Sequence, residues 1–114
     1  MIIDDLKEYG VDTETALNRC VNNEGLFLKL INKIPEMEEF DKLKESIEAK
    51  DLDSAFSYAH AIKGNVANLE ITPIKEPVSE MTELLRNKSD VDYSEYIAKM
   101  DEGLEGLKKI LANQ

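Results

Sequence analysis

Apolar residues recur at intervals of three and four along almost the whole chain, and this spacing strongly limits how the chain can fold. After Pro35, for example, Met37, Phe40, Leu43 and Ile47 form one stripe, with Glu and Lys between them. No run of alternating apolar and polar residues is long enough to indicate a strand. The sequence therefore predicts an all-α protein.

Turn and cap residues divide this pattern into helices joined by short loops. Gly10 can end a short first helix in the left-handed conformation, and Asp12 and Asp51 are candidate N-caps. Pro35 indicates the end of one helix and the start of the next, because proline is tolerated in the first turn of a helix but not in its interior. No repeat or linker interrupts the sequence, so residues 1–114 are expected to form a single domain, an antiparallel helical bundle with short additional N-terminal helices.

Proline and glycine residues in the C-terminal half disturb the helical pattern. Pro77 follows the helix start expected at Thr72 by more than one turn, where it would remove a backbone donor. We therefore expect an irregular first turn or a helix start nearer Glu76. Gly103 and Gly106 lie within the last helix and weaken it by up to about 1 kcal/mol each relative to alanine. They indicate either close packing or nothing.

Composition excludes several classes of function. The 114 residues include 14 Lys and Arg against 24 Asp and Glu, a net charge of −10, which argues against binding nucleic acid or an anionic membrane through bulk charge. One Cys and one His make an internal disulfide impossible and a His- or Cys-based metal site unexpected. Neither a signal peptide nor a membrane span is expected, because the N-terminus lacks a basic segment and a long apolar run. These features predict a small cytoplasmic domain.

The single histidine lies on a helix predicted from Asp51 to about Leu69. Its core-facing stripe should consist of Ala55, Ala59, Ile62, Val66 and Leu69. His60 lies about 140° around the helix from the centre of that stripe. The imidazole is therefore expected to face water.

The residues one turn after His60 suit chemistry at an exposed imidazole. Lys63 can place an ammonium group beside anything attached to the ring, and Gly64 removes a side chain that would crowd it. A neutral imidazole carries a free nitrogen lone pair, so it can attack a phosphoryl group without a general base. A nearby cation would offset charge on the phosphoryl oxygens. This constellation predicts a nucleophile for phosphoryl groups.

Three further residues share the surface around His60. Phe56 and Ser57 lie one turn before it, and Ala67 continues the strip of small side chains beyond Gly64. An apolar side chain on an exposed face is a plausible contact for a docking partner. Phe56, Ser57 and Ala67 are therefore candidate docking residues.

The segment from Ala59 to Glu70, AHAIKGNVANLE, resembles the histidine-containing phosphotransfer (HPt) family of phosphorelays. The family motif is His-x-x-Lys-Gly followed by small residues and an Asn- or Ser-Leu-Gly stretch. Two positions depart from it, since Glu70 stands where glycine is common and Asn65 where a small residue is frequent. The resemblance implies an antiparallel, up-down four-helix bundle with His60 exposed midway along one helix.

The resemblance also implies a function and a set of partners. His60 would accept a phosphoryl group from the phospho-aspartate of one response-regulator receiver domain and pass it to another, with Lys63 stabilising the group and Gly64 giving access. A hybrid histidine kinase is a further candidate partner. The Mg²⁺ would belong to the receiver, so the protein needs no cofactor of its own. We expect a free-standing monomeric carrier and not an enzyme, because no ATP-binding glycine loop is present.

Two alternatives differ from this reading. A helical module could dock receiver or kinase domains without carrying phosphate, since Phe56 and the strip of small residues would serve docking equally well. An enzyme could use His60 as an acid or base, but no Ser or Cys nucleophile pairs with it in a recognisable arrangement. Replacing His60 separates carrier from docking module, because only the carrier loses its activity.

Overall fold

A computed structural model describes residues 1–114 as an all-helical protein without strands, as the sequence predicts. The helices are α1 (Ile2–Tyr9), α2 (Thr13–Arg19), α3 (Glu24–Lys33), a short 3₁₀ helix (Ile34–Glu36), α4 (Glu39–Glu48), α5 (Leu52–Asn68), α6 (Thr72–Arg86) and α7 (Ser94–Leu111). None of them combines the length and the apolar character needed to cross a bilayer.

Side-chain caps begin three of these helices. Asp12, Asn23 and Asp51 each accept a hydrogen bond from the backbone N–H three residues later. Such a cap satisfies one of the backbone donors that the first turn leaves free. The caps at Asp12 and Asp51 confirm the boundaries expected from the sequence. Gly10 ends α1 with a φ of 133°, a conformation that favours glycine.

The core lies between α5 and its neighbours. Helix α5 packs against α4 and α6, α6 packs against α7, and α1 rests on α7. The predicted inward stripe of α5 is confirmed, because all five of its residues are buried. Side chains from the other helices complete the core, among them Leu6, Phe27, Ile31, Leu43, Ile74, Met81, Met100 and Leu107. This packing turns the opposite side of α5 toward solvent.

The prediction of an irregular first turn, or of a helix start nearer Glu76, was wrong, because α6 is continuous from Thr72 and Pro77 is buried inside it. Pro77 has no N–H to donate to the carbonyl of Pro73 one turn earlier. Helix α7 approaches that carbonyl at Gly103, where an added Cβ would lie only 2.9 Å from the oxygen. An added Cβ at Gly106 would lie 3.0 Å from the ring of Tyr9. Both glycines therefore mark close packing of α7.

Helix α2 holds the C-terminal end of α5. The guanidinium of Arg19 donates hydrogen bonds to the carbonyls of Ala67 (2.9 Å) and Asn68 (3.0 Å), which lie in the last turn of α5. The same group pairs with the Glu70 carboxylate at 2.9 Å, and the Asp12 N–H donates to the Glu70 carbonyl. These contacts satisfy carbonyls that the helix end leaves free and place a cation at the negative end of its dipole. The N-terminal helices thus anchor the helix that carries the histidine.

Candidate functional site

The exposed face of α5 presents His60, as the sequence predicts. The ring lies near the middle of a helix of 17 residues that is capped at its start by Asp51 and anchored at its end by Arg19. Both ends of the helix are therefore fixed, and its buried stripe fixes the rotation about its axis. The imidazole is displayed on a rigid element instead of a loop.

Phe56 lies against the imidazole and links it to the neighbouring helix. The two rings are stacked, with centroids 5.6 Å apart and an interplanar angle of 29°. The guanidinium carbon of Arg86, at the end of α6, lies 5.0 Å from the centroid of the Phe56 ring. Stacking of this kind restricts the ring of His60, and the cation–π contact covers part of Phe56. Phe56 is therefore half-buried and not a freely projecting apolar side chain.

The ammonium group of Lys63 is directed toward α6. Its Nζ lies 3.8 Å from Oε1 of Glu83, and the second oxygen of that carboxylate accepts a hydrogen bond from Nε of Arg86 at 3.3 Å. One carboxylate thus links Lys63 to Arg86. Both ion pairs are partly exposed, and exposed pairs contribute little to stability. Their side chains can change partners at small cost.

Gly64 has open space around it. A Cβ added at this position would meet no atom within 4 Å, in contrast to the close approaches at Gly103 and Gly106. Glycine inside a helix lowers stability by about 1 kcal/mol relative to alanine. Packing does not require glycine here, whereas at the two α7 positions it does. The open space lies one turn from His60 on the same face.

The other predicted docking residues surround the histidine on α5. Ser57 is exposed, with its hydroxyl directed to the Asp53 carbonyl at 3.4 Å, and Ala67 is half-buried. Asn65 donates its side-chain amide to the carbonyl of Ala61, so this departure from the family motif folds back on its own helix. A face of small or retracted side chains therefore extends from His60 toward the end of α5.

Glu70, the second departure, adopts a backbone conformation that favours glycine. Its φ is 53°, in the left-handed region. The carboxylate is 15% exposed and pairs with Lys75 at 2.8 Å and with Arg19 at 2.9 Å. The hydrogen bond from Lys75, supported by Arg19, holds the pKa of Glu70 below its usual range. These ion pairs offset part of the strain free energy that a residue other than glycine has in the left-handed conformation.

The sequence reasoning missed Glu83 and Arg86. Both lie on α6, which packs against α5 because the three residues 69–71 reverse the chain after α5. The tight reversal places α6 beside α5, but residue counts on either side of it do not select Glu83 or Arg86. The rotation of α6 about its axis decides which of its residues reach the site. The structure holds no group of three or more His, Cys, Asp or Glu side chains suited to a metal ion.

A family model described as "Hpt domain" matches residues 36–110, about two thirds of the chain. The chain belongs to the Hpt domain family. Hpt domains take part in histidine phosphotransfer in phosphorelays as phosphocarriers, and they interact with receiver or kinase domains. The match includes every α5 and α6 residue that surrounds His60 and confirms the resemblance seen in the sequence. Searches of curated proteins and of solved structures found no significant match to this Hpt domain.

Proposed function

We propose that this Hpt domain is a phosphocarrier that accepts a phosphoryl group on His60 from one receiver domain and passes it to another. The observation that carries the proposal is the exposed imidazole on a fixed helix, with open space at Gly64 and the ammonium of Lys63 on the same surface. A nucleophile that meets a partner's active site must be both accessible and held in place. His60 meets both requirements.

The transfer needs no acid or base from this chain. The lone pair of a neutral imidazole nitrogen attacks phosphorus, and the N–P bond forms as the P–O bond to the aspartyl carboxylate breaks. The carboxylate leaves with the electron pair, and the proton on the other ring nitrogen is free to pass to solvent. The second transfer reverses these steps toward the next aspartate. The receiver supplies the Mg²⁺, so the Hpt domain contributes nucleophile, position and charge.

We assign Lys63 to stabilisation of the phosphoryl group and Gly64 to access. A lysine ammonium on a flexible four-carbon stem can move from Glu83 to phosphoryl oxygens on the same helix surface. At Gly64, the missing side chain leaves a path along the helix to the ring. The assignment to Gly64 follows from its position, because the packing around it does not require glycine.

We assign Phe56, Ser57 and Ala67 to receiver docking, because they surround His60 on α5. In this proposal α4–α7 form an antiparallel four-helix bundle, supported by connections of only three residues on either side of α5. The chain would act as a single-domain monomer, and its cytoplasmic location stays a prediction.

The test is transfer of labelled phosphate from a panel of phosphorylated receiver domains to the protein and to a His60→Gln variant. We expect acid-labile, base-stable label on the wild type and none on the variant, whose helix content should match the wild type by circular dichroism. Equal labelling of the two proteins would contradict the proposal. Binding to a receiver without any transfer would indicate a docking module instead.

A further inference from the structure

Glu83 is the carboxylate that pairs with both Lys63 and Arg86. We propose that Glu83 is a positioning residue for phosphotransfer, which holds Lys63 and Arg86 beside His60 in the free protein and keeps the attached phosphoryl group ready to leave. This inference rests on the proposed phosphocarrier function and assigns a role to a residue outside the sequence motif. Glu83 itself makes no direct contact with the imidazole.

The contacts of Glu83 form a chain that runs from Lys63 to the histidine. Glu83 lies 3.8 Å from Lys63 and 3.3 Å from Arg86, Arg86 covers Phe56 at 5.0 Å, and Phe56 stacks on His60 at 5.6 Å. Removal of the carboxylate leaves both cations without an acidic partner, since neither forms another ion pair in the structure. Glu83 is therefore the one acidic partner of both cations before the phosphoryl group arrives.

A phosphoryl group on His60 would change the balance of these charges. Its dianion competes with Glu83 for Lys63, and Glu83 repels it. If the Lys63 ammonium lay between the phosphoryl group and the Glu83 carboxylate, these two anions would be roughly 7 Å apart. This distance adds the 3.8 Å between Lys63 and Glu83 in the structure to a charged hydrogen bond of about 3 Å between Lys63 and the phosphoryl group. In water, Coulomb repulsion between a dianion and one carboxylate at that distance corresponds to about a sevenfold change in an equilibrium constant without salt. Screening at physiological salt reduces it to about twofold.

The direction of the effect is set by charge alone. Glu83 destabilises the phosphorylated form, so it favours the step in which the N–P bond of His60 breaks and the P–O bond to the receiver aspartate forms. The ring nitrogen keeps the electron pair of the broken bond, and the Glu83 carboxylate gains and loses no proton. Its removal should therefore shift phosphate from the receiver to His60.

The experiment compares Glu83→Gln with Glu105→Gln. Glu105 is a matched control, because it forms an exposed i,i+3 ion pair with Lys108 on α7 and is 65% exposed, against 57% for Glu83. Both changes remove one negative charge and keep the side-chain shape. Each protein is phosphorylated with phosphoramidate, from which the His60 nitrogen displaces ammonia. The phosphorylated protein is then mixed with a receiver domain that exchanges the phosphoryl group with the wild type, and the distribution of label between the two is measured at equilibrium.

We expect Glu83→Gln to shift the equilibrium toward phosphorylated His60 by about two- to sevenfold, with a smaller shift at high salt. Glu105→Gln should match the wild type, and Glu83→Asp, which keeps the charge, should lie closer to the wild type than Glu83→Gln. An unchanged equilibrium in Glu83→Gln, or an equal shift in the Glu105 control, would overturn the assignment. If the wild type accepts phosphate from neither phosphoramidate nor any receiver, the phosphocarrier function itself fails.

Discussion

Replacement of Gly64 by alanine should make the protein more stable and also a slower phosphocarrier. The added Cβ meets no atom within 4 Å, so nothing opposes the gain of about 0.8–1 kcal/mol that alanine brings to a helix interior. For a domain of 114 residues, an unfolding entropy of about 2.1 cal/mol/K per residue converts this gain into a rise of roughly 4 °C in Tm. Thermal and urea unfolding followed by circular dichroism measure the change.

The same methyl group should slow transfer to His60. A displacement of reacting atoms by about 1 Å costs up to about 100-fold in rate, so a methyl beside the path should slow transfer by about tenfold. The rate is measured by rapid mixing with a phosphorylated receiver at concentrations that saturate binding. A stabilised variant with an unchanged transfer rate would refute the assigned role of Gly64 in access. A destabilised variant would refute the conclusion that the space beside Gly64 is free.

Gly103→Ala is the matched control for the stability measurement. It brings the same gain in helix propensity, but its Cβ would lie 2.9 Å from the Pro73 carbonyl oxygen and 3.1 Å from Cγ1 of Ile74. Overpacking of this kind costs about 1–3 kcal/mol, so we expect a net loss of stability. The two glycine variants should therefore change Tm in opposite directions.

Four further predictions concern the residues that hold α5 in place. Glu70→Ala loses the ion pairs with Arg19 and Lys75 but keeps the left-handed backbone, so it should lower the free energy of unfolding by about 1–2 kcal/mol. In urea unfolding, Glu70→Gly should be about 1 kcal/mol more stable than Glu70→Ala, because glycine adopts this backbone conformation without strain. The pKa of Glu70 is lower in the folded protein than its unfolded value of 4.5, so the ionised carboxylate stabilises the fold at neutral pH and this stabilisation is lost progressively as the pH falls below 4.5. The difference in unfolding free energy between the wild type and Glu70→Gln should therefore vanish in acid. Asp51→Ala should lower the stability, and Asp51→Asn should lower it much less, since asparagine also caps. Ile62→Ala should cost about 2–5 kcal/mol, because the side chain is fully buried, and a loss below 1 kcal/mol would contradict its place in the core.

Features that depend on one helix alone could be predicted from the sequence. The caps at Asp12 and Asp51, the buried stripe of α5 and the exposure of His60 all follow from helix periodicity and backbone hydrogen bonding within a few residues. The family resemblance depends on the same short segment, and the family match confirms it. The roles of Lys63 and Gly64 stay predictions, which the variants above test.

Features that depend on contacts between helices were predicted poorly. The irregularity expected at Pro77 did not occur, since α6 is continuous and buries Pro77. The Pro73 carbonyl, which Pro77 leaves without a donor, lies against Gly103, a residue of a different helix that comes much later in the chain. Likewise, one of the two ion pairs that accompany the left-handed backbone at Glu70 requires Arg19 from α2.

By itself the sequence determined that the chain is helical, that one helix displays His60 to solvent, and that Lys63 and Gly64 share its surface. Only the tertiary structure decided which charges lie beside Lys63 and Phe56, because Glu83 and Arg86 contact them through the rotation of α6 against α5. Periodicity within α6 sets which residues point outward, but the packing of its buried side chains against α5 and α7 sets the direction in which they point. The charge balance at His60 is therefore a property of the packed helices.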